Sequence, residues 1–165
     1  MYELKPRAEW TLSDELDVAY LIVTPETNGG MDAGVDLLDV AGNLPADLPA
    51  WAVWVDGLIA FLIGLIPFDG EKGFAHFAMT GALSRADSMT VARAFLDSLP
   101  GIQVYALTDR PSLVPILKRL GFGYLREEMG QHILQRASRR AAPQHHAGMN
   151  TATLTETGGD SRSRL

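Results

Sequence analysis

The side chains best suited to proton chemistry are scattered along the chain. His76 sits in FAHFA, Asp109 follows the apolar run IQVYALT, and Tyr124 lies in GYLREE. An imidazole changes charge near neutral pH, and a carboxylate or phenol held beside a reacting group can take or give a proton. Asp69 and Glu71, in the turn DGEKG, add two carboxylates, and Tyr105 adds a second phenol. Each residue type also has a plain structural use. A histidine among phenylalanines and alanines suits a packed sheet face, and an aspartate after a strand suits a turn cap. The chain has no cysteine, which removes thiolate nucleophiles, disulfides and thiolate zinc sites. His145 and His146 are adjacent but lack a third ligand, so no metal site is expected.

Whatever these residues do, one domain must position them. With 165 residues, 47% apolar and 21% charged, the chain can bury a sizeable core. Net charge is −6 and unevenly spread: residues 8–71 hold twelve acidic side chains and no Lys or Arg. That run argues against nucleic acid, whose phosphates it would repel. It suits a cationic partner, an amine or a basic protein surface, and equally a solvated acidic face. The stretch WAVWVDGLIAFLIGLIPF is apolar enough to imitate a membrane span, but Asp56-Gly57 interrupts it with a strong hairpin signal. MYELKPRAEW lacks the apolar core of a signal peptide. A soluble, cytoplasmic protein without a membrane partner is expected. Residues 137–165 carry almost no large apolar side chains and read as a disordered polar tail behind a domain over 1–136.

Periodicity and breakers order the rest. Residues 1–7 read as a strand and 11–23 as a helix capped by Thr11 or Ser13, with Leu12, Leu16, Ala19, Tyr20 and Val23 inward. Asn28 to Gly30 breaks the chain before a weaker helix over 31–40. Residues 51–55 and 58–66 form a hairpin, apolar on both faces and so covered on both. After DGEKG, 74–80 is a strand. A helix then starts at Ser84 or Asp87 and runs to Leu99, with Met89, Ala92, Leu96 and Leu99 inward, before Pro100-Gly101. Residues 102–108 are a strand. Residues 113–120 are a short helix with Ser112 as N-cap, Pro115 in its first turn and Gly121 closing it. Strands over 122–128 and 131–136 turn at Met129-Gly130. The result is α+β: a mixed central sheet, β-α-α-β-β-β-α-β-α-β, with helices on both faces.

This order resembles the GNAT acetyltransferase superfamily over about residues 1–136. WAVWVDGLIAFLIGL is similar to the second and third strands. GFAHFAMTGALSRADSMTVARAFLDSL is similar to the fourth strand, cofactor loop and third helix, and VYALTDRPSLVPILKRLGF to the fifth strand and fourth helix. The resemblance implies an N-acyltransferase using acetyl-CoA as a dissociable cosubstrate and an amine-bearing small molecule or protein as acceptor. It implies a wedge between splayed fourth and fifth strands, with backbone groups of Met79 and Thr80 facing Leu107 and Thr108. It places the pyrophosphate at the third helix, in a loop patterned Q/R-x-x-G-x-G/A. Here that loop is RADSMT, with Arg85 retained and Ser88 and Thr90 in the glycine positions. Asp87 adds a carboxylate beside the expected anion. A family tyrosine four residues before the glycine of GF is Leu117 here, leaving Tyr105 and Tyr124 as substitute donors. His76, Asp109, Asp69 and Glu71 are the candidate bases for the attacking amine.

The filled glycine positions, the missing tyrosine and the continuation R-L-G-F-x-x-x-x-E-E are also similar to small GNAT-like internal virion proteins of short-tailed phages. That likeness implies a non-catalytic protein, in a virion or host cytoplasm, whose acidic N-terminal half makes protein contacts.

Overall fold

The computed structural model describes residues 1–23, 36–99 and 101–137. The expected break at 28–30, the start of the second helix, Pro100, the polar tail and His145-His146 lie outside them. Strand β1 (Tyr2–Pro6) leads through a 3-10 turn to helix α1 (Leu12–Val23). After α2 (Leu37–Gly42) come β2 (Ala50–Val55), β3 (Leu58–Asp69) and β4 (Lys72–Met79). Then follow α3 (Arg85–Asp97), β5 (Gln103–Thr108), α4 (Val114–Arg119), β6 (Gly123–Glu128) and β7 (Gln131–Arg136). The seven strands form one sheet in the order β1-β2-β3-β4-β5-β7-β6. Only β4 and β5 are parallel, so the sheet is mixed as expected.

The apolar stretch that imitates a membrane span forms β2 and β3. No helix among the described residues is long and apolar enough to cross a membrane. Asp56 (φ 51°) and Gly57 (φ 80°) make the β2–β3 turn, and Met129 (φ 51°) and Gly130 (φ 75°) make the β6–β7 turn. Positive φ at both loop residues is the twist-matched hairpin geometry.

Both faces of the sheet are covered. On one, Val91, Ala92, Phe95 and Leu96 of α3 and Leu117 and Leu120 beside it pack on Val53, Phe61, Ile63 and Leu65. On the other, Val18 and Leu21 of α1 pack on Ala50, Ala52, Trp54 and Leu62. The register shifts between Val53 and Trp54, leaving Ala60 as an extra residue in β3. That bulge puts Ile59 and Leu62 on the same face despite their odd spacing.

The structure corrects several expectations. The buried face of α1 is Asp14, Val18, Ala19 and Leu21, whereas Leu12 and Tyr20 are exposed. Its second half, Val18 to Val23, is apolar on every side, so its sequence leaves the phase open. Thr11 caps it. Ser84, not Asp87, caps α3 and accepts the Asp87 N–H; the helix ends at Asp97, before Leu99. Phe95 and Val91 join Ala92 and Leu96 in its buried face. Strand β3 runs past Ile66 to Asp69, and β4 starts earlier, at Lys72. Ser112 caps nothing: a 3-10 turn at Pro111–Leu113, closed by the Leu113 N–H on the Arg110 carbonyl (3.0 Å), leads into α4. Two prolines four apart cannot share one α-helix interior, and the tighter turn removes the conflict. At the far end Gly121 (φ 94°) donates to the Lys118 carbonyl and Phe122 to that of Leu117 (3.0 and 3.1 Å). This is a Schellman closure, with Phe122 packed in the same core as Leu117.

Candidate active site in the splay of the sheet

Strands β4 and β5 pair over three residue pairs only, Lys72 with Gln103, Gly73 with Val104 and Phe74 with Tyr105. Beyond Phe74 they part, and a cleft of about 330 Å³ opens between them. His76 and Phe77 line it from β4, and Leu107 and Thr108 from β5. Asp109, Arg110 and Leu117 complete its wall.

Backbone direction alternates along a strand. The Gln103 N–H donates to the Glu71 carbonyl (2.7 Å), so Glu71 turns toward β5. The Thr80 N–H donates to the Ala60 carbonyl (3.0 Å), so Thr80 turns toward β3. Alternation from either end gives one answer. Ala75, Phe77 and Met79 direct their backbone groups into the splay. Of the expected pair, Met79 has the open direction, and Thr80 has its N–H engaged elsewhere. The Thr80 hydroxyl accepts from the Ala82 N–H (3.2 Å).

His76 lies at the middle of the open stretch. It lines the cleft and also a second, apolar cavity of about 170 Å³ on the α1 side of the sheet. Its Nε2 is buried and has no hydrogen-bond partner among the described residues. Burial lowers its pKa below the ordinary 6.5, because desolvation disfavours the imidazolium. The ring is therefore neutral at pH 7. Asp109 is exposed at the rim of the same cleft.

The other candidate donors and bases lie apart. Tyr124 is on the edge strand β6, where its hydroxyl lies 3.3 Å from His132 Nδ1, and it does not line the cleft. Tyr105 is at the zipped end, its hydroxyl donating to Gln103 (3.2 Å) and its ring in tilted contact with Phe68 and Phe74. Asp69 and Glu71 are at that end too, with Asp69 paired to Lys72 (3.6 Å). Leu117 lines both the cleft and an adjoining apolar pocket of about 90 Å³ beneath Phe77 and Met79.

At the start of α3, Arg85 is exposed with no ion pair among the described residues. Ser88 is buried and its hydroxyl donates to the Ser84 carbonyl (2.9 Å). The exposed Thr90 hydroxyl donates to the Ala86 carbonyl (2.9 Å). Both hydroxyls are thus engaged by their own helix, which begins at Arg85, earlier than a loop reading of RADSMT requires. Among the described residues no group of three potential metal ligands occurs. Sequence reasoning missed Arg110, Gln131 and the rear cavity, because chain folding alone brings β2, β3, α1 and β4 together around His76.

No protein-family model and no curated protein matches the chain. Solved structures do. An acyl-CoA N-acyltransferase from Pseudomonas aeruginosa is 17% identical, with a TM-score of 0.59, over 83% of this chain and 99% of that one. The ribosomal-protein-S18-alanine N-acetyltransferase from Escherichia coli is 10% identical, with a TM-score of 0.62, over 87% and 98%. The PaiA N-acetyltransferase from Thermoplasma acidophilum, in complex with coenzyme A, is 12% identical, with a TM-score of 0.55, over 82% and 98%. The fold is that of GNAT acetyltransferases.

Proposed function

We propose that the chain is an N-acyltransferase that uses acetyl-CoA. One observation carries the reading: the pairing of β4 and β5 stops after Phe74, leaving the backbone of Ala75, Phe77 and Met79 directed into a cleft that a neutral histidine also lines. An extended chain with amide groups fits such an opening, since it can take the hydrogen bonds that a missing strand would make. The pantetheine arm of acetyl-CoA is such a chain. The apolar pocket beneath Phe77 and Met79 adds hydrocarbon contact beside it. The pyrophosphate end fits less well. Arg85 and the first N–H groups of α3 are suitable, but Asp87 stands among them.

When bound, acetyl-CoA supplies an acyl carbon activated by a thiolate leaving group. The acceptor nitrogen forms the new C–N bond as the C–S bond breaks, and the amine must lose a proton. His76 Nε2, neutral and without a partner among the described residues, takes that proton. Leu117 has none to give. The leaving sulfur is therefore protonated by the His76 imidazolium or by water entering past Asp109. Asp109 and Arg110 line the rim of that cleft.

Calorimetry with acetyl-CoA and a thiol-release assay across an amine panel test this. Micromolar binding and turnover are expected, with His76→Gln lowering kcat about 100-fold or more while acetyl-CoA binding is unchanged. Activity should fall on acidification with a midpoint below pH 6.5, because burial lowers the His76 pKa. Absence of micromolar acetyl-CoA binding sinks the proposal. A second reading then takes its place: a non-catalytic protein of this fold, acting in virion assembly through contacts of its acidic N-terminal half. The observation in its favour is the self-engaged start of α3, where Ser84, Asp87, Ser88 and Thr90 bond to one another or to the helix backbone.

A further inference from the structure

The cavity behind His76 differs in kind from the cleft in front. Its walls include Trp10, Ile22, Leu44, Leu48 and Gly64, and no charged side chain among the described residues lines it. Its one polar feature of consequence is His76. His76 is the residue it shares with the cleft, where Asp109 and Arg110 are the charged groups. A buried polar atom without a partner costs free energy, so a ligand that reaches Nε2 with an N–H gains a bond otherwise missing. The volume sets the ligand's bulk. An engineered apolar cavity of about 150 Å³ takes up benzene, and this one measures about 170 Å³.

We infer that the acceptor is a primary amine on an apolar body the size of a phenyl ring or branched alkyl group. The body fills the rear cavity and the nitrogen meets His76 Nε2 at the junction. This rests on the acyl-transfer reading and adds the substrate class. Although most of the cavity wall falls within the acidic run of residues 8–71, none of the run's described carboxylates lines it. A polyamine, with several charges to keep solvated, is a poor occupant, because desolvating a charge without a counter-ion is expensive.

Gly64 gives a clean lever. A Cβ there would meet Ala50 Cβ at 3.5 Å and the Pro49 carbonyl at 3.6 Å, ordinary contacts, so Gly64→Ala folds while narrowing the cavity. The test titrates the full chain, with and without acetyl-CoA, against 2-phenylethylamine, ethylamine and spermidine. Expected is a preference of roughly tenfold or more for 2-phenylethylamine, lost by roughly tenfold in Gly64→Ala, with acetyl-CoA affinity unchanged. Equal affinity for the three amines, or preferential acetylation of spermidine, overturns the inference and leaves acyl transfer standing. Binding of 2-phenylethylamine with the Gly64→Ala loss, in a protein that binds no acetyl-CoA, supports the cavity assignment and overturns acyl transfer alone. Should Gly64→Ala unfold the chain, Leu48→Trp at the half-buried rim provides the same block.

Discussion

Helices α1 and α3 begin with the same device, Thr11-x-x-Asp14 and Ser84-x-x-Asp87, yet the two boxes face different surroundings. At α1 the Thr11 N–H and hydroxyl both donate to Asp14 Oδ2 (2.7 and 2.8 Å), and Lys5 of β1 donates to Oδ1 (2.9 Å). Asp14 is 6% exposed, so the box is sealed. Burial alone would raise its pKa, but the Thr11 N–H, the Lys5 ammonium and the Thr11 hydroxyl hold it below 3.8. At α3 the Ser84 hydroxyl donates to Asp87 Oδ2 (2.6 Å), and Ser84 Oγ accepts the Asp87 N–H (3.1 Å). No cation completes that box among the described residues. A helix start locked from three sides serves the core, whereas one closed only by its own cap can still meet a ligand. The partner supplied by another strand makes the difference.

Four substitutions at three residues sharpen this contrast. Asp14→Ala should cost the most, about 2 kcal/mol, by removing the carboxylate that accepts from Thr11 and Lys5; thermal unfolding should show a loss of several degrees. Because the Asp14 pKa is depressed, its contribution is present above pH 3.8 and fades as pH falls further, so Asp14→Asn should flatten the acid limb of stability. Ser84→Ala should cost about 1 kcal/mol, measured by urea unfolding. Asp87→Asn should change stability by only a few tenths of a kcal/mol. On the acyl-transfer reading it should tighten acetyl-CoA binding severalfold at low salt, by removing a like charge near the phosphates. A loss of acetyl-CoA affinity in that variant would show that Asp87 does not oppose the ligand.

Local chemistry made much of the frame legible. Asp56-Gly57 and Met129-Gly130 mark their turns, and Gly121 ends its helix, because each demands a backbone few residues accept. Contacts between distant residues were not legible. Asp14 reads as an exposed first-turn acid until Lys5, nine residues earlier, is folded over it. FAHFA shows that His76 is flanked by apolar groups but not which face it takes. Tyr105 is a plausible proton donor until its pairing with Phe74 puts it at the closed end of the splay. RADSMT resembles a family loop, whereas the cap at Ser84, one of the two starts its sequence allows, makes all six residues helical.

The short pairing of β4 and β5 gives β4 two unlike rims. Along β3 it is an interior strand for its whole length, while beyond Phe74 its other rim is a sheet edge. Exposed edges invite pairing with neighbouring polypeptides and hence aggregation. This one is internal, overhung by β5 and the start of α4, so a second sheet cannot dock against it. The aperture admits one slender chain at a time, and the geometry that makes a place for a ligand also keeps this stretch of β4 from pairing with another sheet.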